Sequence, residues 1–369
     1  MGEPIGLAVI GCGTIGRIRA ELARETIAVG WLGLCDIDRD YAERLAKDTR
    51  ADFVTTDVHE LLGRPEVTAV IIATAENEHV EPIIAAAERG HALFIEKPLA
   101  SDPVESARVL QVIESNGVDA VVGYTQRFRR RFQAVKQRLR DRQVGDVTTV
   151  VTRAFMNRMV PLATLAKTAD RSRLTPMVVS GTHSLDMSMW LMEGKTPVEV
   201  YARSVESALA ELGTKDGTFG VFTMDDGCIF SMNINWALPT VWPGSVYGLE
   251  IGIVGTDGVI DIEDTHRDVV LASHTPQPAG YTSKGFGPDA PRHVDFMTSY
   301  PPGDVSGGLL WGPMREETLT WYNRLTTGLT TPHATAADGH SNLLLTMAMD
   351  LSARTGKPVP LPVEPKELL

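Results

Sequence analysis

The chain has 369 residues, with 35 Lys and Arg against 47 Asp and Glu, a net charge of −12, and 43% hydrophobic residues. That apolar share is ample for packed cores and excludes a disordered chain, and the length fits two domains of roughly 100 to 200 residues each. The acidic balance would repel a phosphate backbone, and apart from the run from Arg127 to Arg131 no Lys/Arg cluster is backed by stacking aromatics, so nucleic acid is not an expected partner.

In chain order, short apolar runs at 6–10, 31–35, 52–56, 68–74, 92–96 and 119–124 alternate with segments of helical periodicity, among them 41–50, 79–90 and 103–117. Parallel strands need crossovers, and the crossovers cover the sheet, so this alternation predicts a parallel sheet with helices on both faces. After Tyr124 a basic helix-like stretch at 129–142 leads to longer strand candidates at 147–155, 198–205, 218–224, 228–235, 247–255 and 259–262. Their alternating polarity, with turn signals at 225–227 and 255–258, predicts a largely antiparallel sheet with one open face. The expected division is 1–125 for the first domain and 126–369 for the second. Between Thr275 and Pro313 there are seven Gly and seven Pro, interspersed with Tyr281, Phe286, Phe296, Tyr300 and Trp311, so no regular element fits and a functional loop is expected. A last helix is expected at 338–353.

Cys12, Cys35 and Cys228 are too few and too scattered for a disulfide framework, which points to a reducing compartment. No apolar run approaches the ~18 residues of a membrane span, and Met1 leads almost directly into the first strand. The expectation is a soluble, cytoplasmic protein.

Gly11, Gly13 and Gly16, in Gly-Cys-Gly-Thr-Ile-Gly, follow the first strand and open a helix, the context that makes this pattern a dinucleotide-binding fingerprint. Gly11 permits the tight turn, Gly13 lets the backbone approach a pyrophosphate, and Gly16 lets helix and strand pack closely. Thr14 and Ile15 stand at the helix N-terminus, whose free N–H groups face the anion. Asp36 ends the second strand, where its carboxylate accepts hydrogen bonds from ribose hydroxyls. A 2′-phosphate would meet that charge, and Ile37 offers no basic or small polar side chain beside it, so NAD is expected rather than NADP.

Thr74 to His79 lie just past the fourth strand, at the carboxyl edge. Thr74, Asn77 and His79 suit contact with the nicotinamide half; equally, Asn77 or Glu78 serves to start the next helix. Glu96, Lys97 and Pro98 end the fifth strand at the same edge, where Lys97 is either placed to move protons beside a nicotinamide or is a solvated surface lysine.

With these residues the chain resembles the Gfo/Idh/MocA family of NAD(P)-dependent oxidoreductases, named for glucose-fructose oxidoreductase and inositol 2-dehydrogenase. The likeness covers nearly the whole chain, and the Gly-rich turn, the Glu-Lys-Pro segment and the Gly181-x-His183-x-x-Asp186 helix in that order are strong together. The resemblance implies a Rossmann domain followed by an α/β domain with an open, mainly antiparallel sheet that often joins homodimers or homotetramers. It implies that Lys97 is catalytic, with the bond before Pro98 commonly cis. It also implies an Asp-x-x-x-His pair on a helix of the second domain. His183 matches the histidine, but the aspartate position holds Val179, which accepts no hydrogen bond and takes no proton.

Three readings of Val179 follow: an active enzyme with Ser180 or Thr182 compensating, an active enzyme for a more apolar substrate, or a sugar sensor that has lost catalysis. The active readings are favoured because Lys97 and His183 are both present. Asp186 has a structural role by default, and no set of ligands with metal-like spacing surrounds His183. Arg127, Asn157 and Arg158 are candidate substrate contacts alongside Val179, Thr182 and His183, although for Arg127, Asn157 and Arg158 surface solvation is the favoured reading. His266 and the aromatic loop are further candidates to cover the substrate. The expected function is hydride transfer between NAD and a secondary alcohol or ketone of a sugar, glycoside or cyclitol. The alternatives are a dihydrodiol or other aromatic-derived alcohol dehydrogenase, a redox-assisted glycosidase and a non-enzymatic sugar sensor.

Overall fold

Strand β1 (Ile5–Ile10) is buried along its whole length, as a strand covered on both faces must be. The computed structural model describes residues 4–165, 174–263, 269–277, 292–297 and 302–369. The chain divides into two units, the first built from 1–128, 308–343 and Leu369, the second from 129–307 and 344–368.

In the first unit β1 is followed by α1 (Thr14–Ala23), β2 (Val29–Cys35), α2 (Arg39–Thr49), β3 (Phe53–Thr55), α3 (Val58–Leu62), β4 (Ala69–Ile72), α4 (Val80–Ala87), β5 (Ala92–Ile95), α5 (Pro103–Asn116) and β6 (Ala120–Val122). The six strands pair in parallel in the order β6-β5-β4-β1-β2-β3. The order reverses at β1, and that is the switch point where open α/β sheets bind ligands. Asp38, Asp57 and Asp102 cap α2, α3 and α5 by accepting first-turn N–H bonds, so these helices start where the sequence offers a side-chain oxygen.

In the second unit a basic helix α6 (Arg130–Arg140) leads to β7 (Val147–Asn157), α7 (Met159–Leu165), a π-helical turn over Met177–Gly181 and α8 (Thr182–Leu191). Then come β8 (Pro197–Val205), β9 (Gly217–Met224), β10 (Ile229–Leu238), β11 (Val246–Gly255) and β12 (Val259–Ile262). The remaining elements are β13 (Val270–Gln277), β14 (Arg292–Phe296), β15 (Asp304–Ser306), β16 (Leu309–Trp311), α9 (Pro313–Thr327), β17 (Ala334–Thr335), α10 (Ala336–Thr355) and β18 (Val359–Pro360).

The second sheet runs β12-β11-β7-β10-β9-β8-β18, antiparallel throughout except for the parallel β7/β10 pair. Register aligns Val200, Phe222, Phe230, Val150 and Ile253 in one cross-strand row, all buried. The next row, Tyr201, Val221, Ser231, Val151 and Gly252, points the other way, and Tyr201, Val221 and Val151 are exposed. Alternation in the sequence thus became one packed and one open face. Ser352 of α10 accepts the Ala202 N–H bond at 2.9 Å and anchors that helix to the sheet.

Three expectations need correction. The boundary at 125/126 does not describe residues 308–343, which return to the first unit: α9 buries Trp321 and Tyr322 against Phe94 and Val121, and β17 pairs antiparallel with β6. The segment from 275 to 313 is not devoid of regular structure, since the end of β13, all of β14 to β16 and the start of α9 fall within it. Of its aromatics, Tyr281, Phe286 and Tyr300, like His266, lie outside the described residues; Phe296 meets Trp242 edge-on at 5.4 Å. Third, the expected helix at 338–353 is present as Ala336–Thr355, but α9 precedes it where no helix is expected.

Candidate functional site

The three glycines of the first turn are required for different reasons. Gly11 has φ +94, and a Cβ there would lie 2.4 Å from the Ala73 carbonyl oxygen; at Gly16 a Cβ would lie 1.8 Å from the Gly11 carbonyl oxygen. A Cβ at Gly13 would meet nothing within 4 Å, although its φ of −67 suits any residue. Gly13 is therefore open for a reason outside the chain. Helix α1 begins at Thr14 with no side chain capping its first turn, so the N–H groups of Thr14, Ile15 and Gly16 are offered to an incoming anion.

Asp36 sits at the end of β2, half-buried. Its Oδ2 accepts the Cys12 N–H bond at 2.6 Å and its Oδ1 accepts the Asp38 N–H bond at 2.9 Å. The carboxylate thus fixes the glycine turn and the entry to α2, and each oxygen keeps a lone pair for a further donor. Ile37 beside it is 96% exposed and supplies no cation for a phosphate.

The ends of β4 and β5 complete this edge. Thr74 has a buried Oγ1 with no hydrogen-bond partner among the described residues, a donor and acceptor awaiting a ligand group. His79 is buried and ties two loops together: Nδ1 stands 2.8 Å from the Pro98 carbonyl oxygen and Nε2 3.3 Å from that of Thr74. Burial pushes its imidazole below the usual range, against the pull of the Pro98 carbonyl. Asn77 is exposed, with its amide on Glu78 at 2.9 Å. The Lys97-Pro98 bond is cis, and Lys97 is half-buried. The Glu96 side chain accepts from Arg19, whose Nε and Nη2 donate to its Oε1 at 3.0 and 2.8 Å.

In the second unit His183 is half-buried on the first turn of α8, next to the fully enclosed Thr182 and two residues after Gly181. The helix does not enter this turn with regular spacing. Thr182 N–H bonds to the Met177 carbonyl, five residues back, so the stretch carrying Val179 is a π turn. Val179 is 6% exposed and packs with Leu165, Leu174, Leu209 and Trp236. It fills a core and does not offer itself as a substrate contact.

The three candidates for solvated surface are none of them so. Arg127 is buried on a 3-10 turn, Thr125–Phe128, with Nη1 and Nη2 each 3.4 Å from Asp338 Oδ2. Asn157 is buried; its amide donates to the Trp242 carbonyl at 3.1 Å and its Oδ1 accepts the Met159 N–H bond. Arg158 donates from Nη2 to the Ala237 carbonyl at 2.9 Å and from Nε to that of Leu238 at 3.2 Å. Asn157 and Arg158 thus clamp the end of β10 to β7.

Reading the sequence missed Arg19 and Glu317. Arg19 belongs to no local motif, and α9 is not among the elements expected from the sequence although Pro313 at its start and Gly328 at its end mark a helix.

A family model described as an oxidoreductase family with an NAD-binding Rossmann fold matches residues 5–124, and the GFO/IDH/MocA C-terminal domain matches 132–261. Inositol 2-dehydrogenase of Gluconacetobacter diazotrophicus is 28% identical over 215 residues, 56% of this chain and 61% of that protein, so the match spans less than two thirds of that relative. Inositol 2-dehydrogenase of Rhizobium meliloti is 25% identical over 301 residues, 80% of this chain and 84% of that one. Among solved structures, scyllo-inositol dehydrogenase from Lactobacillus casei with bound NAD(H) and scyllo-inositol has a TM-score of 0.75 at 18% identity, covering 97% of this chain and 99% of its own.

Proposed function

Because this chain belongs to the Gfo/Idh/MocA family of NAD-binding oxidoreductases, we propose that it transfers hydride between NAD and a secondary alcohol or ketone of a cyclitol, sugar or glycoside. A cyclitol of the inositol type is the first substrate to try, since a relative named inositol 2-dehydrogenase matches 80% of the chain. The reading rests on the open space at Gly13 over the uncapped start of α1, with Asp36 beside it. Those groups fit the pyrophosphate and ribose of NAD. When bound, NAD supplies the hydride acceptor.

The chain's own residues supply the rest. N–H groups of Thr14, Ile15 and Gly16 hold the pyrophosphate, Asp36 accepts from ribose hydroxyls, and Thr74 Oγ1 gains a partner from the nicotinamide half. Lys97 holds the substrate oxygen and stabilises negative charge on it, while His183 takes the hydroxyl proton. Without a carboxylate at 179, His183 works with no acid four residues before it.

The test is to incubate the protein with NAD and a panel of inositols, sugars, glycosides and dihydrodiols while following NADH and product together. Net NADH with an inositol or sugar is the expected result; product without net NADH would mean a redox-assisted glycosidase, and binding alone a sensor. Lys97→Met is expected to lose about 100-fold or more in kcat with NAD affinity retained. Wild-type turnover in that variant would remove Lys97 from the chemistry.

The same reading takes the protein as a cytoplasmic homo-oligomer. Buried free thiols at Cys12, Cys35 and Cys228 suit a reducing compartment, and among the described residues no helix is long and apolar enough to cross a membrane. Tyr201, Val221 and Val151 with Ile229, Val254 and Val259 give the open face of the second sheet exposed apolar side chains, which supports a second copy as its cover.

A further inference from the structure

We propose that Glu317, on the helix that returns to the first unit, is a positioning residue for Lys97 that acts through Arg19 and Glu96. The proposal rests on the assignment of Lys97 to the reaction. Arg19 is fully buried, and its guanidinium is used on every side. Nε and Nη2 donate to Glu96 Oε1, Nη2 donates to Glu317 Oε2 at 2.7 Å, and Nη1 donates to Thr318 Oγ1 and to the Met314 carbonyl. Its face lies over the Phe94 ring, 4.2 Å from the centroid. Glu96 is the residue before Lys97, and its main-chain N–H bonds to Ile72 at 2.9 Å, so the end of β5 is fixed by its backbone on one side and by its side chain on Arg19.

One fully buried cation therefore stands between two carboxylates, Glu317 fully buried and Glu96 mostly so. Glu317 Oε2 has Arg19 and the Thr125 hydroxyl at 3.0 Å, while its buried Oε1 has no hydrogen-bond partner among the described residues. A carboxylate with one oxygen bare in the core is costly unless that oxygen carries a proton. The cluster thus has two charge states. With Glu317 neutral, the Arg19 charge is committed to Glu96; with Glu317 ionised, it is divided between the two, and the hold on the residue next to Lys97 slackens.

Burial and then the Glu96 charge raise the Glu317 carboxyl to about 7, against the pull of Arg19 and Thr125. His333 and Tyr322, packed near it, are both held away from neutrality. Burial keeps His333, whose Nε2 faces the Glu317 carbonyl at 3.0 Å, down at about 3, and holds Tyr322 above its ordinary value. Asp119 and Arg324 near His333 are paired with each other at 2.6 Å.

The readout is the acetylation rate of Lys97 by a limiting acylating reagent, measured peptide by peptide by mass spectrometry from pH 5.5 to 9, with exposed Lys47 of α2 as internal reference. In the wild type the Lys97/Lys47 ratio is expected to change by about threefold or more around neutrality, and in Glu317→Gln that step is expected to vanish. Thr125→Val removes a donor to the ionised form and is expected to move the step to higher pH. Superposable Lys97 profiles in wild type, Glu317→Gln and Thr125→Val, all folded, would overturn the proposal. Turnover is followed in parallel: Glu317→Gln is expected to lose the limb of the kcat profile near neutrality while KM and NAD affinity stay within about twofold. Because the acetylation needs no substrate, a chain that makes no NADH but keeps the Glu317-dependent step refutes the dehydrogenase reading and leaves the coupling standing.

Discussion

At Gly16 a methyl group would strike the Gly11 carbonyl at 1.8 Å, whereas at Gly13 it would enter empty space. The two positions therefore separate folding from binding. Gly16→Ala forces backbone to move and is expected to cost about 1–3 kcal/mol of stability. Gly13→Ala is expected to melt with the wild type yet bind NAD about tenfold or more weakly, because its Cβ takes the room of the pyrophosphate. Thermal melts with and without NAD check both; unchanged NAD affinity in Gly13→Ala would place the cofactor elsewhere. Val179 calls for the opposite experiment. With Leu165, Leu174, Leu209 and Trp236 around it, Val179→Asp buries a lone carboxylate, so it is expected to destabilise the second unit on the order of several kcal/mol and to gain no activity. A stable Val179→Asp with raised kcat would show that the position faces substrate. The glycines and Asp36 were legible in the sequence because they form a fixed motif at the ends of consecutive strands, even though Gly11 abuts Ala73 and Asp36 holds the Cys12 N–H. That Val179 is core was not, since its companions come from residues 165, 174, 209 and 236.

Helix α9 shows what an element adds that its residues do not announce. Its polar sequence, with Arg315, Glu316 and Glu317 in succession near the start, reads as surface, yet Glu317 is fully buried because the helix docks on α1 and the Thr125–Phe128 turn. The raised Glu317 carboxyl has a consequence for stability with a definite sign. The folded protein keeps a proton up to about pH 7 that the unfolded chain, with its ordinary value of 4.5, has released. Stability from this group is full below the unfolded value and is lost as pH rises through the folded one. His333, pushed down to about 3 by burial, works in the opposite sense, its contribution being full above 6.5 and lost as pH falls. Comparison with Glu317→Gln isolates the first effect. The variant is expected to gain on the wild type as pH rises from 5 to 8, by at most on the order of 3 kcal/mol, and no further above that. Denaturant titrations at several pH values measure this, and a difference that does not depend on pH would mean that Glu317 is ionised throughout. The π turn at Met177–Gly181 is likewise an element that sequence spacing did not reveal, because Val179 and His183 read as an ordinary helical pair.

For the molecule as a whole, each unit is assembled from separated stretches of chain, with the division between 343 and 344 falling inside α10. The open face of the second sheet is the feature on which its assembly depends. Val151→Lys combined with Val221→Lys places two charges in one exposed cross-strand row without touching the packed face, so the fold is expected to survive while the oligomer dissociates. Light scattering on the eluting protein gives the answer, and a wild type of single-chain mass would end the proposal of a homo-oligomer. The sequence by itself determined the strand and helix alternation, the dinucleotide turn, the choice of Asp36 over a cation, and the Glu-Lys-Pro edge, because these rest on periodicity and on residues adjacent in the chain. Only the tertiary structure decided that 308–343 belong with the first unit, that Val179 is packed, and that the Glu96 side chain pairs with Arg19, which also holds Glu317. Arg19 meets Glu96 across 77 residues and Glu317 across 298, and no local pattern encodes which distant segment a buried charge will find as its partner.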